Sequence, residues 1–328
     1  MRLGIDIGGT KTAAVAIGAD GALSDQVRMP TGFGADEVVA TALRTVERMA
    51  ELAGGGGFSS IGIGIPGAVD SDTGRVAHAV NLGLEGLDLG PRLADRLRVE
   101  VRVENDVKAA ALGAQHLLAA ADGRGTRSMA YLNLGTGLAA GIVLDGRLLR
   151  GGHGVAGEIG HIPIDPDGER CGCGQRGCLE TVASGWAIAR RWPVAGGGAD
   201  AVTGRGLAVA GAAGGASDGH PARDLFDAAA AGDPRAIEVR ESFLTGVAAA
   251  VRLLVLTTDV DDVVIGGGLA ALGGELLEGA HRILNGWADS SAFLASLDLP
   301  ARVQVIPQGF PAAAVGAALV GGHRWPKS

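Results

Sequence analysis

The strongest constraint on the fold is a pattern of strands and turns that occurs twice in the chain. Residues 3–23 predict a strand, a glycine-containing turn, a second strand and an Asp-Gly turn. Residues 129–149 repeat this plan, with Asn133 in the position that Asp6 occupies in the first copy. A repeat at this distance predicts two related α/β lobes.

Other segments carry helix or strand periodicity. Helical patterns cover residues 36–53, 107–121, 223–257 and 311–320, and further strands are predicted to end at Ile65, Val103 and Ile265. Residues 194–220 are rich in glycine and alanine and predict a loop. Strands that alternate with helices in this way are typical of α/β proteins.

Composition excludes several classes of protein. The chain contains 57 Gly but only 12 Pro, has no Gly-X-Y period and is 47% hydrophobic, so neither collagen nor a disordered linker fits. A net charge of −8 argues against nucleic acid and anionic membranes as partners. Because no signal peptide is recognisable and the apolar runs are short, we expect a soluble, cytoplasmic protein.

Three strand-to-turn junctions are candidates for phosphate binding. Glycine lets backbone N–H groups approach an anion closely, and Asp6 at the end of the first strand could orient hydrated Mg²⁺. The alternative is that these junctions are ordinary hairpin turns, but three of them at strand ends favour function. They consist of Gly8, Gly9, Thr10 and Lys11, of Gly135, Thr136 and Gly137, and of Gly266, Gly267 and Gly268.

Two better-known phosphate motifs do not apply. The order Gly-Gly-Thr-Lys differs from that of a P-loop. The GxGxxG match at residues 62–67 contains Pro66 and leads into a turn, and the match at residues 172–177 lies inside a cysteine cluster. Neither context is that of a dinucleotide-binding fold.

A carboxylate follows the predicted strand that ends at Val103. Asp106 lies at the start of the next helix, where an α/β sheet gathers its ligands and where a carboxylate can accept the proton of a substrate hydroxyl. Asn105 beside it can hydrogen-bond a polar ligand. The alternative is that Asp106 only caps the helix, and the spacing by itself favours this simpler role.

All cysteines of the chain lie within eight residues. His161, Cys171, Cys173 and Cys178 follow the spacing H-x₉-C-x-C-x₄-C, which suits a closed, structural zinc site with four protein ligands. The alternative is three unrelated buried thiols, and a disulfide would leave one thiol over.

Two glutamates flank this cluster. Glu158 precedes His161 by three residues, and Glu180 follows Cys178 by two. A bound zinc ion would hold both carboxylates in place, and carboxylates are acceptors for sugar hydroxyls. Taken singly, each glutamate is more typical of a solvated surface residue than of a binding site.

Together these motifs resemble the ROK family of bacterial sugar kinases and sugar-responsive repressors. The resemblance runs along nearly the whole chain. Its segments are LGIDIGGTK at 3–11, GIPG at 64–67, VENDVKAAALG at 103–113, LGTG at 134–137, GGHGVAGEIGH at 151–161 and CGCGQRGCLE at 171–180.

The resemblance implies an α/β fold of the actin-like ATPase (ribonuclease H-like) type, with two lobes and a central cleft. The expected lobes are residues 1–114, completed by the C-terminal helix 311–328, and residues 115–310, which carry the zinc-binding loop 161–178. The implied activity is transfer of the γ-phosphoryl group of ATP, with Mg²⁺, to the 6-hydroxyl of a hexose, glucose first. A homodimer with a structural Zn²⁺ is also implied.

Roles follow by position in the matching motifs. Asp106 is expected to be the catalytic base. The first two glycine turns are expected to hold phosphates, and the third is expected to lie near adenosine. His161 is expected to bind zinc through one ring nitrogen and the sugar through the other. The expected sugar-binding residues are Gly67, Asn81, Asn105, Asp106, Glu158, His161 and Glu180.

Three alternatives remain beside this interpretation. The sugar could be fructose, mannose, N-acetylglucosamine or N-acetylmannosamine. The protein could be a sugar-sensing regulator without catalysis, although the first strand begins at Leu3, which leaves no room for a DNA-binding domain, and Asp6, Lys11 and Asp106 are present. A zinc-dependent hydrolase is disfavoured, because four protein ligands would close the metal site.

Overall fold

Two five-stranded mixed sheets and a small three-stranded sheet organise the protein. The computed structural model describes residues 1–122, 127–193 and 221–322. The strands are β1 (Arg2–Ile7), β2 (Lys11–Ile17), β3 (Val27–Pro30), β4 (Ser60–Ile65), β5 (Ala68–Asp70), β6 (Arg75–Ala79), β7 (Leu84–Leu87), β8 (Val101–Asn105), β9 (Met129–Leu134), β10 (Leu138–Leu144), β11 (Arg147–Leu148), β12 (Asp262–Gly266) and β13 (Val303–Val305).

Helices connect and cover these sheets. They are α1 (Ala35–Leu52), α2 (Leu89–Leu97), α3 (Asp106–Asp122), α4 (Gly185–Arg191), α5 (Pro221–Ala230), α6 (Pro234–Thr258), α7 (Gly274–Asp289), α8 (Ala292–Ser296) and α9 (Ala312–Gly322). Across the described ranges, no helix combines the length and the apolar character needed to cross a membrane.

The two large sheets have related topologies. The first has the order β3-β2-β1-β4-β8 and the second the order β11-β10-β9-β12-β13. In the first, Asp6 lies opposite Ala13 of the antiparallel partner and Gly64 of the parallel partner. In the second, Asn133 has the same relation to Ala139 and Gly266. The repeat predicted from residues 3–23 and 129–149 is therefore present, down to the correspondence of Asp6 with Asn133.

Helices α3 and α9 join the two halves of the molecule. Helix α9 packs against β1, β2 and β4 of the first sheet and against α3, which also contacts β9 and β10 of the second sheet. This packing is close, because a β-carbon at Gly62 of β4 would overlap the carbonyl oxygen of Ala317 in α9. Small residues at such positions let helix and sheet backbones touch.

Each sheet has its own apolar core. One cluster contains Ile5 and Ile63 with α1 and α2, and another contains Leu132 and Ile265 with α5, α6 and α7. These strand residues are fully buried, as the alternating patterns predicted. The cores fix the strand ends from which the candidate site is built.

One helix prediction needs correction. The pattern over residues 223–257 predicted a single helix, but α5 ends at Ala230 and α6 begins at Pro234. Gly232 has a φ of +91°, and the Asp233 side chain accepts a hydrogen bond from Ala236 N while Pro234 occupies the first turn. These are termination and capping signals. The predicted loop 194–220, and residues 323–328 of the predicted C-terminal helix, lie outside the described residues.

Candidate active site

The carboxyl ends of three parallel strands bring the candidate residues of the first lobe together. Strands β1, β4 and β8 are neighbours and run in the same direction. Asp6, Gly67 and Asn105 lie at or just after the carboxyl ends of these strands, and therefore at one edge of the sheet. Gly64 of β4 lies between the positions of Asp6 and Asp106 and places no side chain there. A β-carbon at Gly64 would lie 3.5 Å from the Asp106 Cα. Ligands of open α/β sheets collect at such an edge.

The two aspartates at this edge influence each other. Burial, together with the nearby charge of Asp106, raises the pKa of Asp6 from 3.8 to about 7. Burial also raises the pKa of Asp106, and Glu158 acts in the same direction, while the Val107 N–H group and the Lys108 cation oppose the rise. A cation or a proton at this edge is therefore favourable, because it relieves the repulsion between buried carboxylates.

Asn105 and Asp106 share the task of capping α3. Asn105 Oδ1 accepts hydrogen bonds from the N–H groups of Val107 (3.1 Å) and Lys108 (3.2 Å). Asp106 Oδ1 accepts one from Val107 N (2.9 Å). In the described parts of the chain, Asp106 Oδ2 has no hydrogen-bond partner. Capping and an available carboxylate oxygen are thus compatible, so the two interpretations of Asp106 do not exclude each other.

Asn105 also reaches the glycine turn after β4. Its Nδ2 group donates to the carbonyl oxygen of Gly67 at 3.4 Å. A cleft beside this contact is lined by Gly67, Asn105, Lys108 and Glu158. Three of the predicted sugar-binding residues therefore face one space.

The first glycine turn follows Asp6 in the chain, between β1 and β2. Gly8 N donates to Lys11 O at 2.9 Å, and the Lys11 side chain is exposed. The Asn81 Cβ lies 3.2 Å from where a β-carbon of Gly9 would be. The structure therefore places Asn81 beside this turn.

The second and third glycine turns lie side by side in the other lobe. The carbonyl oxygens of Gly135 and Thr136 accept hydrogen bonds from the first residues of α4, at 2.9 and 3.0 Å. The Asn133 side chain approaches both Gly135 and Gly267. These contacts join the second turn, Gly135 to Gly137, to the third turn, Gly266 to Gly268.

Tyr131 supports the third turn, although no sequence motif points to it. Its Oη accepts a hydrogen bond from Gly267 N at 3.1 Å, and a β-carbon at Gly266 would overlap the phenol. Burial raises the pKa of Tyr131 to about 12, and the charges of Asp6 and Asp106 act in the same direction. The available signal was that Tyr131 is the single tyrosine and lies two residues before Asn133, on the same face of β9.

The predicted metal ligands converge. The donor atoms of His161, Cys171, Cys173 and Cys178 all lie within 4.8 Å of one another. Cys171 Sγ is 3.7 Å from His161 Nδ1, and Cys173 Sγ is 3.6 Å from Cys178 Sγ. Four such donors at such separations could hold one metal ion in tetrahedral coordination.

The two flanking glutamates lie at different places. Glu180 Oε2 accepts a hydrogen bond from Leu138 N at 2.9 Å, beside the second turn, and its other oxygen is 3.9 Å from Cys171 Sγ. Glu158 precedes the turn Ile159–His161 and lies near Asp106. Gly157 allows this arrangement, because a β-carbon there would overlap the carbonyl oxygen of Ala140 in β10.

Three charged residues around Asn105 and Asp106 were also missed. Glu104 and Lys108 are buried, and Glu104 forms an ion pair with Arg150. The sequence carried one signal for Lys108, since it is one of only three lysines and lies two positions after Asp106. The pairing of Glu104 with a residue so distant in the sequence had no local signal.

Comparison with known proteins shows the family of the chain. The ROK family model matches residues 2–319, so the chain belongs to the ROK family. A glucokinase of Halalkalibacterium halodurans is 35% identical over 284 residues, which is 84% of this chain and 82% of the relative. An N-acetylmannosamine kinase of Citrobacter koseri is 35% identical over 282 residues, covering 85% of this chain and 87% of the relative.

A solved structure supports the fold. The ROK family glucokinase of Streptomyces griseus, in complex with glucose and AMPPNP, superposes with a TM-score of 0.74 at 28% identity, covering 98% of this chain and 99% of that one. The protein therefore has the two-lobed, actin-like ATPase fold of the ROK kinases. This is the fold that the sequence motifs predicted.

Proposed function

We propose that the protein is an ATP-dependent hexokinase that transfers the γ-phosphoryl group of ATP to the 6-hydroxyl of glucose. The observation that carries this proposal is Asp106, a buried carboxylate with one oxygen available, at the strand edge that also holds Asp6 and Asn105. A relative and a structural neighbour named as glucokinases support the choice of glucose.

In the proposed reaction, Asp106 accepts the proton of the sugar hydroxyl as it attacks phosphorus. A raised pKa makes Asp106 a stronger base than an exposed aspartate, provided that it is ionised. Asn105, Glu158 and the Gly67 turn bind the other hydroxyl groups, because amide, carboxylate and carbonyl oxygens match their donors and acceptors. Asn81, His161 and Glu180 complete the proposed sugar-binding set.

The glycine turns of the two lobes hold the nucleotide in this proposal. The turns Gly8 to Lys11 and Gly135 to Gly137 bind phosphates through backbone N–H groups, and Gly266 to Gly268 bind near adenosine. Asp6 orients Mg²⁺, which neutralises charge on the phosphates when it is bound. The raised pKa of Asp6 fits this role, because a divalent cation would offset the cost of burying the carboxylate and the repulsion that Asp106 exerts.

We propose zinc as the ion of the Cys₃His cluster. Zinc–sulfur bonds of about 2.3 Å place two sulfur atoms of a tetrahedral site about 3.8 Å apart. The 3.6 Å between Cys173 Sγ and Cys178 Sγ fits that geometry. A zinc–nitrogen bond of about 2.0–2.1 Å places sulfur and nitrogen about 3.6 Å apart, and Cys171 Sγ lies 3.7 Å from His161 Nδ1. With four protein ligands the ion would stabilise the loop and would not bind substrate. His161 Nδ1 faces the thiols, which leaves Nε2 for the sugar.

We further propose that residues 1–114 with α9 and residues 115–310 act as two lobes that close over sugar and ATP. Small-angle scattering that shows no change on addition of glucose would contradict closure. A homodimer in the cytoplasm is the assembly and location that the family resemblance implies. ATP is available there and thiols stay reduced.

Steady-state kinetics test the proposal. With Mg·ATP, we expect the protein to phosphorylate at least one sugar in a panel of glucose, mannose, fructose, N-acetylglucosamine and N-acetylmannosamine. Asp106→Asn should lower kcat roughly 10²–10⁴-fold with the fold intact. Asp25→Asn, which alters an exposed carboxylate, serves as the matched control. Near-normal turnover by Asp106→Asn would remove Asp106 as the base.

N-acetylmannosamine kinase is the second candidate function. It is supported by a relative of that name with the same 35% identity as the glucokinase relative. The same panel separates the two, because the preferred sugar has the higher kcat/KM. Preference for the N-acetylated sugar would replace glucose in the proposal and leave the role of Asp106 unchanged.

A further inference from the structure

The segment of residues 104–108 makes two kinds of contact. Asn105 and Asp106, in the middle of this segment, are the residues proposed to bind the sugar. The residues at its two ends, Glu104 and Lys108, are buried and bond to residues 150–158, which we call the 150–158 loop. That loop carries Glu158, which lies near Asp106.

Glu104 is fully bonded inside the protein. Its side chain is 2% exposed, and its Oε2 accepts hydrogen bonds from Arg150 Nε (2.8 Å) and Nη2 (2.6 Å). Its Oε1 accepts from Ser71 Oγ (3.1 Å) and from the backbone N–H of Asn105 (3.0 Å). One carboxylate thus ties the beginning of the 150–158 loop to the backbone of a proposed sugar ligand. Such charge-assisted bonds are stronger than neutral ones.

Lys108 holds the same loop further along. Only 4% of this residue is exposed, and its Nζ donates to the carbonyl oxygen of Gly154 at 2.8 Å. A buried ammonium group is costly unless its hydrogen bonds are satisfied. The bond to Gly154 therefore fixes both the lysine and the middle of the loop.

The loop transmits these restraints to Glu158 over a short distance. Ala156 N donates to Arg150 O at 3.1 Å, and Glu158 N donates to Val155 O at 3.3 Å. Ala140 N of β10 donates to Gly157 O at 2.7 Å. Because these bonds make the loop compact, a shift of residues 150–154 would move Glu158.

We propose that Lys108 and the Glu104–Arg150 pair are positioning residues, which hold the 150–158 loop so that Glu158 binds the same sugar molecule as Asn105 and Asp106. This inference rests on the proposed function, because it assigns the sugar as the ligand that the loop must meet. It adds residues that line the same cleft as Gly67, Asn105 and Glu158 but whose charged groups bond within the protein.

If Lys108 is a positioning residue, its substitution should weaken the affinity for the sugar and leave the affinity for ATP nearly unchanged. We expect Lys108→Met to raise the KM for the preferred sugar, and its Kd measured by calorimetry without ATP, roughly tenfold or more. The KM for ATP should stay within about twofold, because the glycine turns are unaltered. Lys108→Arg, which keeps a cationic donor, should recover most of the sugar affinity. A purely structural role would reduce the folded fraction without separating the two KM values.

A second variant and a control complete the kinetic test. Arg150→Met should raise the sugar KM in the same way, and it provides the test if Lys108→Met does not fold. Arg96→Met removes an exposed cation from α2 and should leave both KM values unchanged. A sugar KM at the wild-type value in both Lys108→Met and Arg150→Met would overturn the proposal.

Hydrogen exchange separates failure of this inference from failure of the proposed function. If the wild-type protein neither binds nor phosphorylates any sugar of the panel, the proposed function fails. Faster amide exchange in residues 150–158 of Lys108→Met than in the wild type would then still support the restraint itself. Unchanged exchange there would overturn it, even in a protein that phosphorylates glucose.

Discussion

Asp6 is expected to destabilise the protein in the absence of ligands, and this expectation can be tested by Asp6→Asn. Asparagine keeps the size of the side chain but cannot carry charge. The folded protein raises the pKa of Asp6 from 3.8 to about 7. Ionised Asp6 therefore costs free energy in the folded state that it does not cost in the unfolded chain.

The sign and the pH range follow from this shift. A carboxylate with a raised folded-state pKa binds more protons folded than unfolded, so its contribution to stability falls as the pH rises from about 4 to about 7. Each pKa unit corresponds to about 1.36 kcal/mol, which gives an upper limit of about 4 kcal/mol above pH 7. Relaxation of neighbouring groups lowers the expected gain for Asp6→Asn to roughly 1–3 kcal/mol.

Thermal unfolding of the ligand-free protein provides the assay. At pH 8, Asp6→Asn should unfold roughly 1–5 °C above the wild type, since the unfolding entropy of a chain of 328 residues gives a shift of about 1.5 °C per kcal/mol. At pH 5 more than half of the difference should vanish, and the rest should vanish near pH 4. Mg·ATP should raise the Tm of the wild type more than that of Asp6→Asn, because the proposed cation site is lost in the variant.

Two results would refute this reasoning. A stability gain that is the same at pH 5 and pH 8 would show that the charge of Asp6 is not its cause. A lower Tm of Asp6→Asn at pH 8 would show that Asp6 stabilises the ligand-free fold. Asp25→Asn, at an exposed carboxylate, should show no comparable pH-dependent gain.

Two further predictions concern the nucleotide turn and the metal. Tyr131→Phe removes the acceptor of the Gly267 N–H group and should raise the KM for ATP about fivefold, with the sugar KM unchanged; an unchanged KM for ATP would contradict a role at this turn. Metal analysis should find about one zinc ion per chain, and Cys178→Ser should lose it together with thermal stability and sugar affinity. Metal-free protein of wild-type stability would refute the structural role.

Much of the fold could be predicted from local sequence patterns. Turn chemistry at Asp145-Gly146 was recognisable in advance, and both residues have the positive φ that a tight hairpin turn requires. Local pattern gave the wrong prediction at residues 231–233, because apolar periodicity continues across the break between α5 and α6. Gly232 ends the first helix there, and Asp233 caps the second. There the capping residues outweighed the periodicity.

By itself, the sequence determined the repeated strand-and-turn plan, the glycine turns and the Cys₃His cluster. These features depend on residues close together in the chain, where spacing fixes geometry. Only the tertiary structure decided the environment of Asp106. The bonds Arg150–Glu104 and Lys108–Gly154 each join residues 46 positions apart, and Tyr131–Gly267 joins residues 136 positions apart. Such contacts, and the raised pKa of Asp6, arise from strand order and burial, which no local spacing specifies.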